Sequence, residues 1–214
     1  MLRAIDIPED DLTDGTDVRR GLVEVAGPRK VDAQRAHEVA DCFVSARGEP
    51  GNAMVQAAYG QLEEQSDRIL LFLTRPRHLG GIRVVFTRCR LPYASDREMI
   101  AAVRRSRLLE VTTAATERDQ RHPLMGCEVG GAFDRFRAVH DLVGHVFPRL
   151  GFDRDGEFTA WLAQEQMHSH LARRALATEL HAKHSVLWTS GQVSEHKATL
   201  LDLDLLARAR QGRP

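Results

Sequence analysis

The chain has 214 residues, and its 30 Lys and Arg are matched by 30 Asp and Glu, so its formal charge at pH 7 is zero. That balance excludes the one-signed surface expected of a general nucleic-acid or anionic-membrane binder. A chain of this length buries enough surface to fold without disulfides, and Cys42, Cys89 and Cys127 are odd in number, far apart and form no CxxC pair, which suits a reducing compartment.

The opening stretch "MLRAIDIPEDDLTDG" has no apolar h-region, and the longest apolar run, Ile69 to Leu73, is far too short to span a bilayer. The expectation is a cytoplasmic protein. Residues 1–30, rich in Asp, Gly and Pro, are expected to form an irregular arm ahead of one mostly helical domain over 31–214.

Val31 to Arg47 has helical spacing, with Ala36, Val39, Ala40 and Phe43 on one face. "GEPGN" breaks the chain before a long helix from Ala53 to about Leu73. "GGIRVVFTR" reads as a strand, "REMIAAVRR" as a helix capped by Ser95 or Asp96, and "LLEVTT" as a second strand. A polar loop follows to Gly131. Beyond it, helices are expected over about 131–147, 155–174, 175–187 and 192–209, the last started by a Thr189/Gln192 capping box. The fold class is therefore α+β and mostly helical, a small strand pair followed by a helical C-terminal half.

Eight of the ten histidines follow residue 121, a bias toward metal or acid–base chemistry in that half. The focus is "AVHDLVGHVFP", Ala138 to Pro148, where His140 and His145 bracket a short apolar run. Imidazole suits zinc, iron, copper and nickel, so the pair is a reasonable half-site. At i and i+5, however, the two rings lie about 140° apart around a regular α-helix. They can share an ion only if the helix distorts near Gly144. If it runs straight, Asp141 and His145, at i and i+4, become the better pair. A third reading keeps both histidines as hydrogen-bonded core residues.

Downstream, Glu157, Trp161 and Gln164 share one helical face. "ALATELHAKHSVLW" then embeds Glu179, His181 and His184 among apolar residues. A carboxylate in that setting needs a partner; a metal would serve, and so would Arg173 or Arg174. His168, His170 and His196 read as surface histidines, and Cys127 as a buried structural thiol. Tyr59, Tyr93, Trp161 and Trp188 read as core, or as walls of a pocket.

His140-Asp-Leu-Val-Gly-His145 resembles the H-E-L-L-G-H motif of the aromatic amino acid hydroxylases, non-haem iron monooxygenases that use a tetrahydropterin. The likeness covers roughly residues 108–188, including "RHPLM" (Arg121 to Met125) and "ATELH", where Glu179 lies 39 residues after His140. The resemblance implies a 2-His-1-carboxylate site in which His140, His145 and Glu179 hold Fe(II), with Zn(II) as the other metal such a set accepts. It implies dioxygen and a small aromatic or amino-acid-derived substrate as partners. Asp141 stands where the family has Glu, and no segment here matches the family's pterin-binding segment.

The same region is similar to bacterial and phage proteins of unassigned chemistry that share "FRAVHDxxGH…GE…AW…TE". In that pattern Glu157 is as fixed as Glu179, so Glu157 is a ligand, an orienting partner of a ligand, or part of a dinuclear site. On this reading Asp141 or Glu157 orients a ligand imidazole, while His184 and His181 line the pocket and bind substrate or move protons. No nucleic acid or membrane is expected as a partner, and a homodimer is a possible assembly.

Two other classes stay open. An HD-type phosphohydrolase would use His122, the His140–Asp141 pair and Asp202 or Asp204, and a zinc hydrolase would use the same ligands as the oxygenase. A non-catalytic helical interaction protein would bury these polar residues as a network and bind no metal.

Overall fold

The computed structural model describes residues 28–75, 81–115 and 121–211. Most of the expected N-terminal arm therefore lies outside the described residues. Its last part runs along one side of a later helix: the Arg29 amide donates to Thr159 Oγ1 and the Val31 amide to Asp155 Oδ1.

The fold is mostly helical α+β. Helix α1 (Ala33–Ser45) is started by Asp32, whose carboxylate accepts from the amides of Gln34 and Arg35. It buries Ala36, Val39, Ala40 and Phe43, the face its spacing predicts. Asn52 caps α2 (Ala53–Thr74) in the same way. This long helix buries Val55, Ala58, Tyr59, Leu62, Ser66, Ile69, Phe72 and Leu73 at three- and four-residue intervals along its length.

Strand β1 (Arg83–Thr87), helix α3 (Asp96–Ser106) and strand β2 (Leu108–Thr112) follow. The strands are parallel, with Arg83 opposite Leu108 and Thr87 opposite Thr112. A parallel pair needs a crossover, and α3, capped by Ser95, supplies it.

Helix α4 (Ala132–His140) starts close to the end of β2. Asp134 is buried and accepts from Thr113 Oγ1 at 2.6 Å, the Ala114 amide at 2.7 Å and the Gly130 amide at 2.8 Å. Three donors satisfy the carboxylate without a counter-cation and fix the start of the helix that carries His140. From α4 the chain passes without a break into a π-helical turn, Asp141–Val146.

Helix α5 (Arg154–Glu165) is followed by α6 (His170–Ala177), a second π-helical turn (Thr178–Ala182) and α7 (Lys183–Ser190). The expected helix over 155–174 stops at Glu165, because Ser169 starts a new one by accepting the Ala172 amide. The helix expected over 192–209 is likewise corrected. Gly191, at φ 71°, closes α7, and Thr189 Oγ1 donates back to the Ser185 carbonyl instead of capping a new start. Residues 192–202 are not helical. The Thr199 carbonyl in that segment accepts from Thr178 Oγ1, and Lys197 Nζ donates to the carbonyls of Phe43, Val44 and Ala46 at the end of α1. Asp202 then caps the short α8 (Leu203–Ala209).

Two apolar clusters result. One joins α1, the first half of α2 and the C-terminal helices around Phe158, Trp161 and Leu176. The other joins the end of α2, the strands, α3 and the apolar residues Leu142, Val143 and Val146 of the first π-turn. His140 and His145 sit between them on α4 and its π-turn. Among the described residues no helix is long and apolar enough to cross a membrane.

Candidate metal centre

The helix distorts where the spacing of the histidines requires it. Through the turn the backbone bonds skip five residues: the Phe147 amide donates to the Leu142 carbonyl at 3.0 Å and the Leu150 amide to the His145 carbonyl at 3.1 Å. Residues five apart then lie one above the other, as residues four apart do in an α-helix. Gly144 makes room for this. A Cβ there would lie 2.7 Å from Ala160 Cβ on α5 and 3.3 Å from His140 Nδ1.

The consequence is that His140 Nε2 and His145 Nε2 stand 3.2 Å apart. Glu157, on the first turn of α5, completes the group. Its Oε2 is 3.2 Å from His140 Nε2 and 3.5 Å from His145 Nε2. All three residues are buried, and His145 has no exposed surface. Among the described residues these three form the one group of His, Cys, Asp or Glu side chains close enough to share a metal ion.

Hydrogen bonds on the outer side of each ring set its tautomer. His145 Nδ1 lies 3.1 Å from the Leu150 carbonyl, which can only accept, so the proton is on Nδ1. Since the Leu150 amide donates to the His145 carbonyl, the two residues exchange hydrogen bonds and hold the ring in place. His140 Nδ1 donates to Gln164 Oε1 at 3.1 Å. With the rings neutral, both inward nitrogens therefore present lone pairs, to each other and to a carboxylate.

Three lone-pair donors so close repel unless a proton or a metal ion lies among them. The same tension appears in the ionisation of the groups. Burial alone would lower His140, but the hydrogen bond and charge of Glu157 hold its pKa above the ordinary value. Burial alone would raise Glu157, but His140 and His145 hold its carboxyl well below the usual range. Metal–ligand bonds of about 2.0–2.2 Å place adjacent ligands roughly 2.9–3.5 Å apart, and the observed spacings fit. Outward N–H groups engaged by an amide oxygen and a backbone carbonyl are the orienting contacts usual for metal-bound histidine.

The expected ligand set is thus corrected in one member: Glu157, not Glu179, joins the histidines. Glu179 sits in a second buried network. Its Oε1 accepts from Tyr59 Oη at 2.7 Å and His122 Nε2 at 2.9 Å, and its Oε2 from Lys183 Nζ at 2.7 Å. The partner its apolar setting demands is thereby supplied, by neither Arg173 nor Arg174. Burial would raise its carboxyl, but Lys183 and His122 drive it far below the usual range.

Asp141 is corrected as well. It is half-buried, and burial raises its carboxyl, with His140, His145 and Arg137 opposing. Gln164 and Leu150, rather than Asp141, hold the two imidazole rings. Glu157 lies within the histidine cluster, where it could serve as a ligand. The Asp141–His145 pairing does not form, because the π-turn directs His145 to His140 instead.

His184, at the start of α7, does reach the site. Its Nδ1 is 3.5 Å from Glu157 Oε2, and its ring stacks on Trp188 at 5.7 Å and 14°. Burial and the neighbouring histidines keep its pKa below the ordinary value, with Glu157 opposing. His181 is buried flat against Trp161, with ring centroids 4.3 Å apart, and burial pushes its pKa down to about 3.

The residues an HD-type hydrolase would need lie apart: His122 is bonded to Glu179, and Asp202 is the cap of α8. His168 is buried and donates to the Gln164 carbonyl, His196 is half-buried and takes a hydrogen bond from Lys183, and Cys127 is exposed; none of the three matches its expected environment. His170 is exposed, as expected.

Gln164 and the Leu150 carbonyl are the contributors not singled out from sequence as orienting groups. Gln164 left a trace there, seven residues after Glu157 on the same helical face. A main-chain carbonyl leaves none. Comparison of the chain with protein-family models, curated proteins and solved structures gives no match to any of them.

Proposed function

We propose that the protein is a mononuclear non-haem iron oxygenase acting on a small aromatic or amino-acid-derived substrate, with His140, His145 and Glu157 as the protein ligands. The observation that carries this reading is the convergence of two imidazoles and one carboxylate, 3.2–3.5 Å apart, in the protein interior. Two histidines and one carboxylate with further positions open form the donor set associated with such enzymes.

When bound, the ion would supply Lewis acidity and, as iron, redox chemistry with dioxygen. The chain's own residues do the rest. Glu157 offsets the ion's charge inside the protein, and Gln164 and Leu150 hold the rings in the tautomer that ligation needs. Leu142, Val143 and Val146, all buried, exclude water behind the histidines. His184, with a quarter of its side chain exposed, stands between the buried carboxylate and solvent, where it can hold a proton.

A zinc hydrolase would use the same donors. The test is metal content and oxygen uptake. Protein purified without oxygen should contain close to one iron per chain and consume oxygen with aromatic or amino-acid-derived substrates. Zinc content with hydrolysis and no oxygen uptake would transfer the site to the hydrolase class.

A further inference from the structure

We infer that a cleft beside the Glu179 network binds a small molecule through an oxyanion, a phosphate or carboxylate group held by Arg121 and His196. None of the residues proposed as metal ligands enters this site.

The cleft has a volume of about 290 Å³, and its polar lining is Arg121, His122, Glu195, His196 and Lys197. At roughly 30 Å³ per water molecule, that is room for an oxyanion and a small body attached to it. Two of these side chains are cations and one is a carboxylate, Glu195, whose side chain is 77% exposed. Glu179, the acid behind the cleft wall, has no exposed side-chain surface and is covered by Tyr59, His122 and Lys183. The lining therefore favours negative charge.

The network also fixes what the rings offer. Lys183 Nζ, a donor only, lies 2.6 Å from His196 Nδ1, so that nitrogen accepts and the ring proton is on Nε2. His122 has no proton left to give: its Nδ1 accepts from the Leu124 amide and its Nε2–H goes to Glu179. His196 is thus the imidazole donor of the cleft. Arg121 adds a fork of N–H groups that matches a phosphate or carboxylate, and its five donors can take an oxyanion alongside another partner.

Lys197 contributes charge, since its Nζ already donates to the carbonyls of Phe43, Val44 and Ala46. Those bonds, with that of the Glu49 amide to the Ala198 carbonyl at 2.8 Å, hold the segment 195–198 against the end of α1. One wall of the cleft is thereby fixed before any ligand arrives, which lowers the ordering cost of binding.

The experiment is a titration of isotope-labelled protein with inorganic phosphate and with succinate at low ionic strength, followed by amide NMR shifts. The proteins are wild type, R121A, H196A, H196Q and E157A. Wild type should bind at least one of the two ions at a single site, with the largest shifts at residues 121–122 and 195–198. The ion bound more tightly identifies the group that the cleft selects. R121A should weaken binding about 10-fold or more, the loss of charge-assisted hydrogen bonds. H196A should weaken it as well, and H196Q, whose amide nitrogen reaches close to the Nε2 position, should recover part of the loss. No saturable binding of either ion by the wild type would overturn the inference, and so would unchanged affinity in both R121A and H196A. Binding that survives in R121A but disappears in E157A would overturn it too, by placing the ion at the metal centre. Should H196A fold poorly, R121A, altered at an exposed position, decides alone.

Discussion

His140 and His145 bring their Nε2 atoms to 3.2 Å although five positions separate them in the chain. An α-helix would point them in different directions, and only the π-helical turn Asp141–Val146 superposes them. The site is therefore built by a backbone irregularity, and it should be sensitive to anything that restores a regular helix.

Gly144 is the place to test that dependence. In Gly144→Ala the new Cβ would meet Ala160 Cβ at 2.7 Å and press on His140. The expected outcome is a loss of about 1–3 kcal/mol of stability by overpacking, with weaker metal binding. Urea denaturation and Co(II) titration of the same variant check both parts.

On the proposed reading Gln164 would act on the ion only through His140, whose Nδ1 it holds. Gln164→Ala should leave the fold intact and weaken metal binding about 10- to 100-fold, because the ring loses the acceptor that fixes its Nδ1 proton. Gln164→Glu, which keeps an acceptor in place, should recover most of the affinity. Competitive chelation with the three proteins gives the comparison.

Glu179 should behave in the opposite sense. Glu179→Gln weakens the hold on Lys183, His122 and Tyr59 and should cost on the order of 2–3 kcal/mol. That lies below the about 3–5 kcal/mol of a wholly buried pair, since Lys183 is 14% exposed. Metal affinity should change by less than about threefold, well under the 10-fold minimum for loss of an orienting contact. Thermal unfolding and metal titration separate the two effects.

Acid sensitivity follows from His181 and His168, which burial drives down to about 3 and about 4 from an ordinary value of 6.5. Below pH 6.5 the unfolded chain takes up protons that the folded protein refuses, so stability falls with pH until the folded values are reached. Each histidine contributes about 1.4 kcal/mol per pH unit within its window. In metal-free protein, His181→Phe should remove one such contribution between pH 6.5 and 4. Denaturation midpoints for both proteins across that range test it, and parallel pH profiles would contradict it.

Much of this was legible in the residues, and the gaps have physical causes. The buried faces of α1 and α2 follow from apolar spacing, which depends only on the local helix. The i, i+5 spacing made a shared site conditional on a distorted helix near Gly144, and the distortion is there. Glu179 was legible as a buried carboxylate in need of a partner, but not as to which. Tyr59 and His122 come from 120 and 57 positions away, and no pattern around Glu179 encodes them. Glu157 stood beside Glu179 in the shared "GE…AW…TE" pattern, and only the packing of α5 on the π-turn decided between them. The segment 192–202 mimics a helix start, yet its backbone oxygens are engaged by other parts of the fold, as at Thr199.

The most direct measurement is the metal content of protein purified without oxygen, compared among wild type, Glu157→Ala and Glu179→Gln. The account predicts close to one transition-metal ion per chain in wild type and in Glu179→Gln, and almost none in Glu157→Ala. A folded wild type that holds no metal and takes up neither Fe(II) nor Zn(II) would contradict it, as would loss of the metal from Glu179→Gln with retention in Glu157→Ala.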